Sequence, residues 1–226
     1  MGELFLSGGG NQRQTRRFDK LFVASLPKGK RMLYIPIAMP EKQYTWGACF
    51  DWIRKAMRQH GFTKIDMWTD LKGRSYSELS MYGSVYIGGG NSLDLLNLIR
   101  KSGFDKVLKR YFHSGGIIYG SSAGAIAMGH DMTVMFKGKA DIKLAGQARF
   151  KGLDIAGRYS ITCHYKSLDD VTIKDYVKRQ GTPVLAIQEN AGVHIALGIT
   201  YVVGNVYLFN RVGKSVLKNK LQARPI

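Results

Sequence analysis

Short, almost wholly apolar runs alternate along this chain with longer stretches in which apolar residues recur every three or four positions. The first run, Glu3 to Ser7, stops at Gly8-Gly9-Gly10-Asn11 and predicts a strand and its turn. Gln12 to Leu26 carries Phe18, Leu21, Phe22 and Leu26 at helical spacing, with Arg and Lys on the other side. Met32 to Ile37 predicts a second strand. Tyr44 to His60 predicts a second helix, with Trp46, Phe50, Ile53 and Met57 on one side and Gly61 just past the end as a C-cap. Lys64 to Trp68 and Ser84 to Ile87 predict further strands, the latter running into Gly88-Gly89-Gly90-Asn91. Helices are expected from Ser92, through Leu95, Leu96 and Ile99, and over Phe104 to His113. Ile117 to Tyr119 then leads as a strand into Gly120-Ser121-Ser122-Ala123-Gly124-Ala125, where a further helix starts.

Beyond that point the periodicity weakens, and Gly129 to Gly157 reads as an irregular excursion. Arg158 to Cys163 is strand-like and ends at His164. Leu168 to Lys178 predicts a helix, and Pro183 to Ile187 a buried strand ending at Glu189. Val193 to Leu197, Thr200 to Val203 and Val206 to Phe209 predict an antiparallel finish, followed by a polar, basic tail from about residue 211. Strands alternating with helices predict an α/β fold with a mostly parallel sheet covered on both faces. In such sheets, functional groups sit on loops beyond the carboxyl ends of the strands. No repeat or linker divides the chain, so one domain over residues 1–226 is expected.

Composition narrows the partners. Hydrophobic content is 45% and charged content 22%, as in ordinary globular chains. Nothing reads as a signal peptide, and no stretch approaches the roughly 20 apolar residues of a membrane span. Cys49 and Cys163 lie far apart and give neither metal spacing nor a disulfide framework, so a reducing cytoplasm is the simplest setting. The formal net charge is +18, from 34 Lys and Arg against 16 Asp and Glu. No RNP, zinc-finger or helix-turn-helix pattern accompanies it, which favours a solvated basic surface over nucleic-acid binding. The same charge would steer anionic substrates. A homodimer stays open.

Gly120, Ser122 and Gly124 fit G-x-S-x-G, the pattern of a sharp strand-to-helix turn that lifts a serine hydroxyl clear of a sheet. A serine nucleophile needs a base and a group that orients the base. Of the five histidines, His164 alone directly follows a predicted strand at the expected sheet edge of Ser122; His194 sits inside a strand pattern. Glu189 follows its own strand in the same way and is the candidate orienting acid, with Asp141, Asp169 and Asp170 as alternatives. The α/β-hydrolase order would instead require His194 with an acid before it and leave His164 idle. The Ala123 amide and the Gly88-Gly89-Gly90 loop are candidate oxyanion donors. Neither triple glycine is a phosphate-binding loop, so no nucleotide, metal or other cofactor is expected. Asn91 and Arg158 are candidate contacts for a substrate carboxylate.

Tyr86-Ile-Gly-Gly-Gly-Asn-Ser-Leu-Asp-Leu-Leu96, Gly120-Ser-Ser-Ala-Gly-Ala125, Cys163-His-Tyr165 and Ala186-Ile-Gln-Glu-Asn190 resemble, in order, the landmarks of the peptidase E and cyanophycinase family of serine peptidases. The likeness runs from about Glu3 to Phe209. It implies a flavodoxin-like three-layer sandwich related to class I glutamine amidotransferases, with a nucleophile elbow. It puts the nucleophile on Ser122, the base on His164 and the oxyanion donors on Gly89 and Ala123. The third member is a glutamate matching Glu189 in cyanophycinase-like members and an aspartate after the serine in peptidase E, whose nearest counterpart, Asp141, does not align cleanly. The activity implied is cleavage of small acidic peptides at aspartyl or β-aspartyl residues. Two other readings use the same residues: a non-catalytic protein that binds an anionic partner, and an esterase or amidase.

Overall fold

The computed structural model describes residues 1–42, 44–135 and 150–217. Its strands are β1 (Glu3–Ser7), β2 (Met32–Ile35), β3 (Ile65–Met67), β4 (Ser84–Ile87), β5 (Ile117–Ser121), β6 (Ser160–Thr162), β7 (Val184–Ile187), β8 (Gly192–Ala196), β9 (Ile199–Val203), β10 (Val206–Asn210) and β11 (Gly213–Leu217). Its helices are α1 (Gln12–Ala24), α2 (Trp46–Arg58), α3 (Tyr76–Ser80), α4 (Ser92–Lys101), α5 (Phe104–His113), α6 (Ala123–Met128) and α7 (Asp170–Gln180). A seven-stranded sheet runs in the order β3-β2-β4-β5-β1-β8-β9; its first five strands are parallel, and β8 and β9 are antiparallel additions.

The apolar runs are continuous because both faces of the parallel strands are covered. Leu4, Leu6, Leu33, Ile35, Val85, Ile87 and Ile118 point to one face, where Leu95, Ile99, Leu108 and Ala127 complete the core. Phe5, Met32, Tyr34, Tyr86, Ile117 and Tyr119 point to the other, against Phe18 and Phe22 of α1 and Ile53 and Met57 of α2. Two helical layers on one sheet make the expected three-layer α/β sandwich. The α1–α2 side is unusually aromatic: Tyr86 and Tyr119 stack at 4.3 Å, and Phe22 meets Tyr119 edge-on at 4.9 Å. Within it Asp19 is 3% exposed and accepts hydrogen bonds from Thr15 Oγ1 and Tyr119 Oη, both at 2.7 Å.

A second, four-stranded sheet has the order β11-β10-β7-β6, with β6 parallel to β7 and the rest antiparallel. One side packs on α7 through Ile173, Val177, Val184, Ala186 and Phe209. Ile161, Leu185, Ile187 and Val206 join the core of the large sheet. This sheet corrects the expectation that His164 leaves the same sheet as Ser122. Pairing between segments this far apart leaves no local signature, so the strands are legible and their partition is not.

Other differences are smaller. The second helix is shorter than expected and has Gln59 as its C-cap, with Gly61 (φ +79°) beyond it. The five-residue α3 was not expected; it is too short to show a period. The basic tail contributes β11, and residues 218–226 lie outside the described set. In the irregular excursion, Thr133–Met135 form a 3₁₀ turn and Asp131 bridges to Lys151, while Asp141 lies outside the described residues.

Burial pushes the Asp19 carboxyl above its ordinary range, against the hydrogen bonds from Thr15 and Tyr119. The folded state therefore takes up this proton at a higher pH than the unfolded chain, so Asp19 adds stability as pH falls and loses it as pH rises through the raised value. Urea unfolding of wild type and Asp19→Asn checks this. The stability difference should move in favour of wild type as the pH is lowered from neutral toward the ordinary aspartate range.

Candidate active site

The site forms where β5 turns into α6. Ser122 is the N-cap of α6 at φ 48°, ψ −106°, a conformation an L-residue adopts only under constraint. The flanking glycines are steric necessities: a Cβ on Gly120 would lie 2.7 Å from the Ala125 nitrogen, and one on Gly124 would lie 2.4 Å from the Ile87 carbonyl oxygen. The Ser122 N–H donates to the Ser7 carbonyl at 3.1 Å, and its own carbonyl accepts from Ile126 at 2.9 Å. The sharp turn lifts the hydroxyl out of the sheet.

Two residues that follow strands of the small sheet line up behind that hydroxyl. His164, after β6, also has positive φ (52°), and its Nε2 stands 2.8 Å from Ser122 Oγ. Its Nδ1 stands 3.1 Å from Oε1 of Glu189, after β7. The consistent proton arrangement is Nδ1–H donating to the carboxylate and Nε2 accepting from the serine hydroxyl. Gln14 Nε2, on the first turn of α1, donates to Glu189 Oε2 at 3.1 Å. Hydrogen bonds from His164 and Gln14 hold the Glu189 carboxyl below the usual range, so it is ionised near neutral pH. Both side chains are nearly half exposed, so the ring remains open to solvent.

Gly8-Gly9-Gly10, expected only as a first turn, binds the backbone at both His164 and Glu189. The His164 N–H donates to the Gly8 carbonyl at 3.1 Å, the Gly10 N–H donates to the Glu189 carbonyl at 3.1 Å, and the Gly8 N–H donates to the Ala191 carbonyl at 3.0 Å. A Cβ on Gly9 (φ +90°) would stand 2.6 Å from Ser122 Cβ and 2.8 Å from Cε1 and Nε2 of His164. A Cβ on Gly8 would stand 1.9 Å from the Gln188 carbonyl oxygen. The available signal was positional: this triple glycine follows a strand at the same sheet edge as the other.

The second triple glycine lies across the serine. A Cβ on Gly89 would come within 3.3 Å of Ser122 Cβ, and Gly90, at φ +139°, lets the backbone pass the Ala38 carbonyl. Ala123 is the first residue of α6, so its N–H has no intrahelical acceptor. The Asn91 side chain caps α4, accepting from the N–H groups of Leu93 and Asp94 at 2.9 and 3.2 Å. Arg158 is exposed before β6, at the end of that strand away from His164, and is not brought to the cluster.

The alternative groups are engaged elsewhere. Asp170 accepts from Lys214 Nζ at 2.9 Å and from the Tyr165 hydroxyl, and the Lys214 ammonium also lies 4.6 Å from the centre of the Tyr207 ring. Asp169 Oδ2 accepts from the Lys166 N–H at 3.0 Å. His194 pairs with Glu3 at 2.8 Å, at the other end of β1 from Gly8, and stacks on Phe5. Cys163 puts its sulfur 3.6 Å from the carbonyls of Ser7 and Ser122, and burial raises its thiol pKa. Among the described residues, no three His, Cys, Asp or Glu side chains converge to hold a metal ion. None of the helices there is long and apolar enough to cross a membrane.

The model of peptidase family S51 matches residues 4–198. An uncharacterized peptidase of Listeria monocytogenes is 23% identical over 142 residues, 62% of this chain and 68% of that protein. A crystal structure from Listeria monocytogenes EGD-e, provisionally described as a peptidase E, superposes with a TM-score of 0.65 at 21% identity, covering 90% of this chain and 98% of that one. A peptidase from an acI-B1 actinobacterium superposes with a TM-score of 0.69 at 17% identity, covering 97% and 95%.

Gly9→Ala tests the loop. The added methyl meets two side chains of the site, in a backbone conformation that also strains alanine. Urea unfolding should report a loss of about 1–3 kcal/mol. A crystal structure of the variant should show the Ser122–His164 hydrogen bond stretched beyond about 3.5 Å.

Proposed function

The chain belongs to peptidase family S51 and is a serine-type peptidase, and we propose that it works through a Ser122-His164-Glu189 triad on short acidic peptides. One observation carries the reading: an unbroken line of hydrogen bonds runs from Ser122 Oγ through both ring nitrogens of His164 to Glu189. His164 Nε2 takes the hydroxyl proton as Ser122 Oγ attacks the scissile carbonyl. Glu189 holds the ring by its Nδ1–H and stabilises the imidazolium. The Gly89 and Ala123 amides receive the oxyanion, in a position that would be worth roughly 10²–10³ in rate per donor. The imidazolium then protonates the leaving amine, an acyl-serine remains, and a water deprotonated by the same ring releases the product.

The preferred bond is one at an aspartyl or β-aspartyl residue. The excess of cations supports this by favouring anionic peptides. No membrane or nucleic acid is part of the reading. The cytoplasm suits two cysteines that form no disulfide.

A fluorophosphonate probe should label the wild type, and a panel of Asp-X and β-aspartyl peptides should be cleaved. Ser122→Ala should abolish both. Glu189→Gln should keep the fold and lower kcat by about 10²–10⁴, because the ring loses its orientation and its counter-charge. Unchanged turnover in Ser122→Ala would overturn the triad. Cleavage of esters with none of the peptides touched would overturn the substrate class.

A further inference from the structure

Helices α1 and α2 lie side by side on the aromatic face of the large sheet, and Gln12 stitches them. Its Nε2 donates to the Trp52 carbonyl at 2.9 Å, and its Oε1 accepts from Gln59 Nε2 at 3.3 Å. Over this seam runs an open groove of about 710 Å³. Its charged lining is Arg13, Arg16, Lys55 and Asp51. Asp51 already faces Arg54 at 3.8 Å. Arg13, Arg16 and Lys55 form no ion pair with any carboxylate among the described residues. Arg17, Lys20 and Arg58 are exposed on the same two helices. Like charges gathered on one cleft repel each other, and an anion seated between them relieves that repulsion. Trp52, 38% exposed, lends the groove a flat apolar wall suited to side-chain methylenes.

The groove borders the site through the start of α1: its lining includes Asn11, the residue after Gly10, whose N–H donates to the Glu189 carbonyl. One turn into α1, Gln14 reaches the Glu189 carboxylate. An extended peptide advances about 3.3 Å per residue, so reaching the groove from the serine takes residues beyond the scissile bond. We propose that the α1–α2 groove is a distal subsite that binds side-chain carboxylates of a peptide whose scissile bond lies at Ser122. A single aromatic wall gives successive nucleic-acid bases no series of stacking platforms, whereas spaced carboxylates match spaced cations. This subsite rests on the peptidase reading for its substrate, and its test separates the two.

The first arm uses two fluorogenic peptides, identical at the cleaved bond and extended by four glutamates or four glutamines. Wild type should show a KM about tenfold lower for the glutamate peptide, as three exposed cation–carboxylate contacts allow. In R13Q/R16Q/K55Q, with an unaltered circular dichroism spectrum and melting temperature, that ratio should collapse to about one. Raising salt to about 1 M should shrink the ratio in wild type. A ratio near one in wild type, or one unchanged in the variant, overturns the subsite. The second arm needs no turnover: fluorescein-labelled hexaglutamate is titrated into Ser122→Ala protein and followed by anisotropy. Binding that disappears when the three cations are also replaced supports the subsite, even if no peptide is ever cleaved and the catalytic reading falls. Absence of binding, or displacement by an RNA hexamer at lower concentration than by unlabelled hexaglutamate, overturns it.

Discussion

The backbone of Ser7 to Gly10 is the constraint on which the rest of the site depends. Besides the ladder of β1, this stretch makes main-chain hydrogen bonds to Ser122, His164, Glu189 and Ala191, so one turn fixes groups from both sheets in a common frame. Such a junction has no room for side chains, because every direction from it is occupied by another backbone or by the serine and the imidazole. Glycine is the only residue that satisfies the packing at Gly8 and both the packing and the positive φ at Gly9. The strained angles at Ser122 and His164 persist for the same reason: each amide is held by a carbonyl of this turn, which offsets a local penalty of about 1–3 kcal/mol per residue.

The two sheets divide the work. The large sheet, with its two-sided apolar strands and stacked tyrosines, supplies the serine turn and both glycine loops. The small sheet supplies the imidazole and the carboxylate. Its position is fixed by Ile161, Leu185, Ile187 and Val206, which enter the core of the large sheet. Precision in the Ser122–His164 distance is thus a property of packing between sheets as much as of the turn itself. The α1 helix adds polar support: Gln14 also closes its capping box, accepting from the Asn11 N–H while donating to Glu189.

What the sequence made legible follows from the range of the forces involved. The strands and the long helices announce themselves through local periodicity, and G-x-S-x-G announces a steric problem solved within five residues. Ser122, His164 and Glu189 could be singled out because each directly follows an apolar run. The role of Gly8 to Gly10 was hidden because its partners lie at residues 164, 189 and 191, and only the folded chain brings them there. The separation of β6 and β7 into their own sheet was hidden for the same reason. Arg158 shows the converse: nearness to a motif along the chain put it forward, and the direction of β6 carries it away from His164. The groove beside α1 needed two helices at once.

The cage around Lys214 has a bearing on when the site comes into being. This ammonium, on the last described strand, clamps Tyr165 and Asp170 immediately after the imidazole. The Ser122 turn, by contrast, is built from neighbours along the chain, between β5 and α6. His164 and Glu189 reach it only through pairings between distant segments, and those carry the larger loop-closure cost. The serine turn is thus a local structure, whereas the cluster around it is a property of the whole fold.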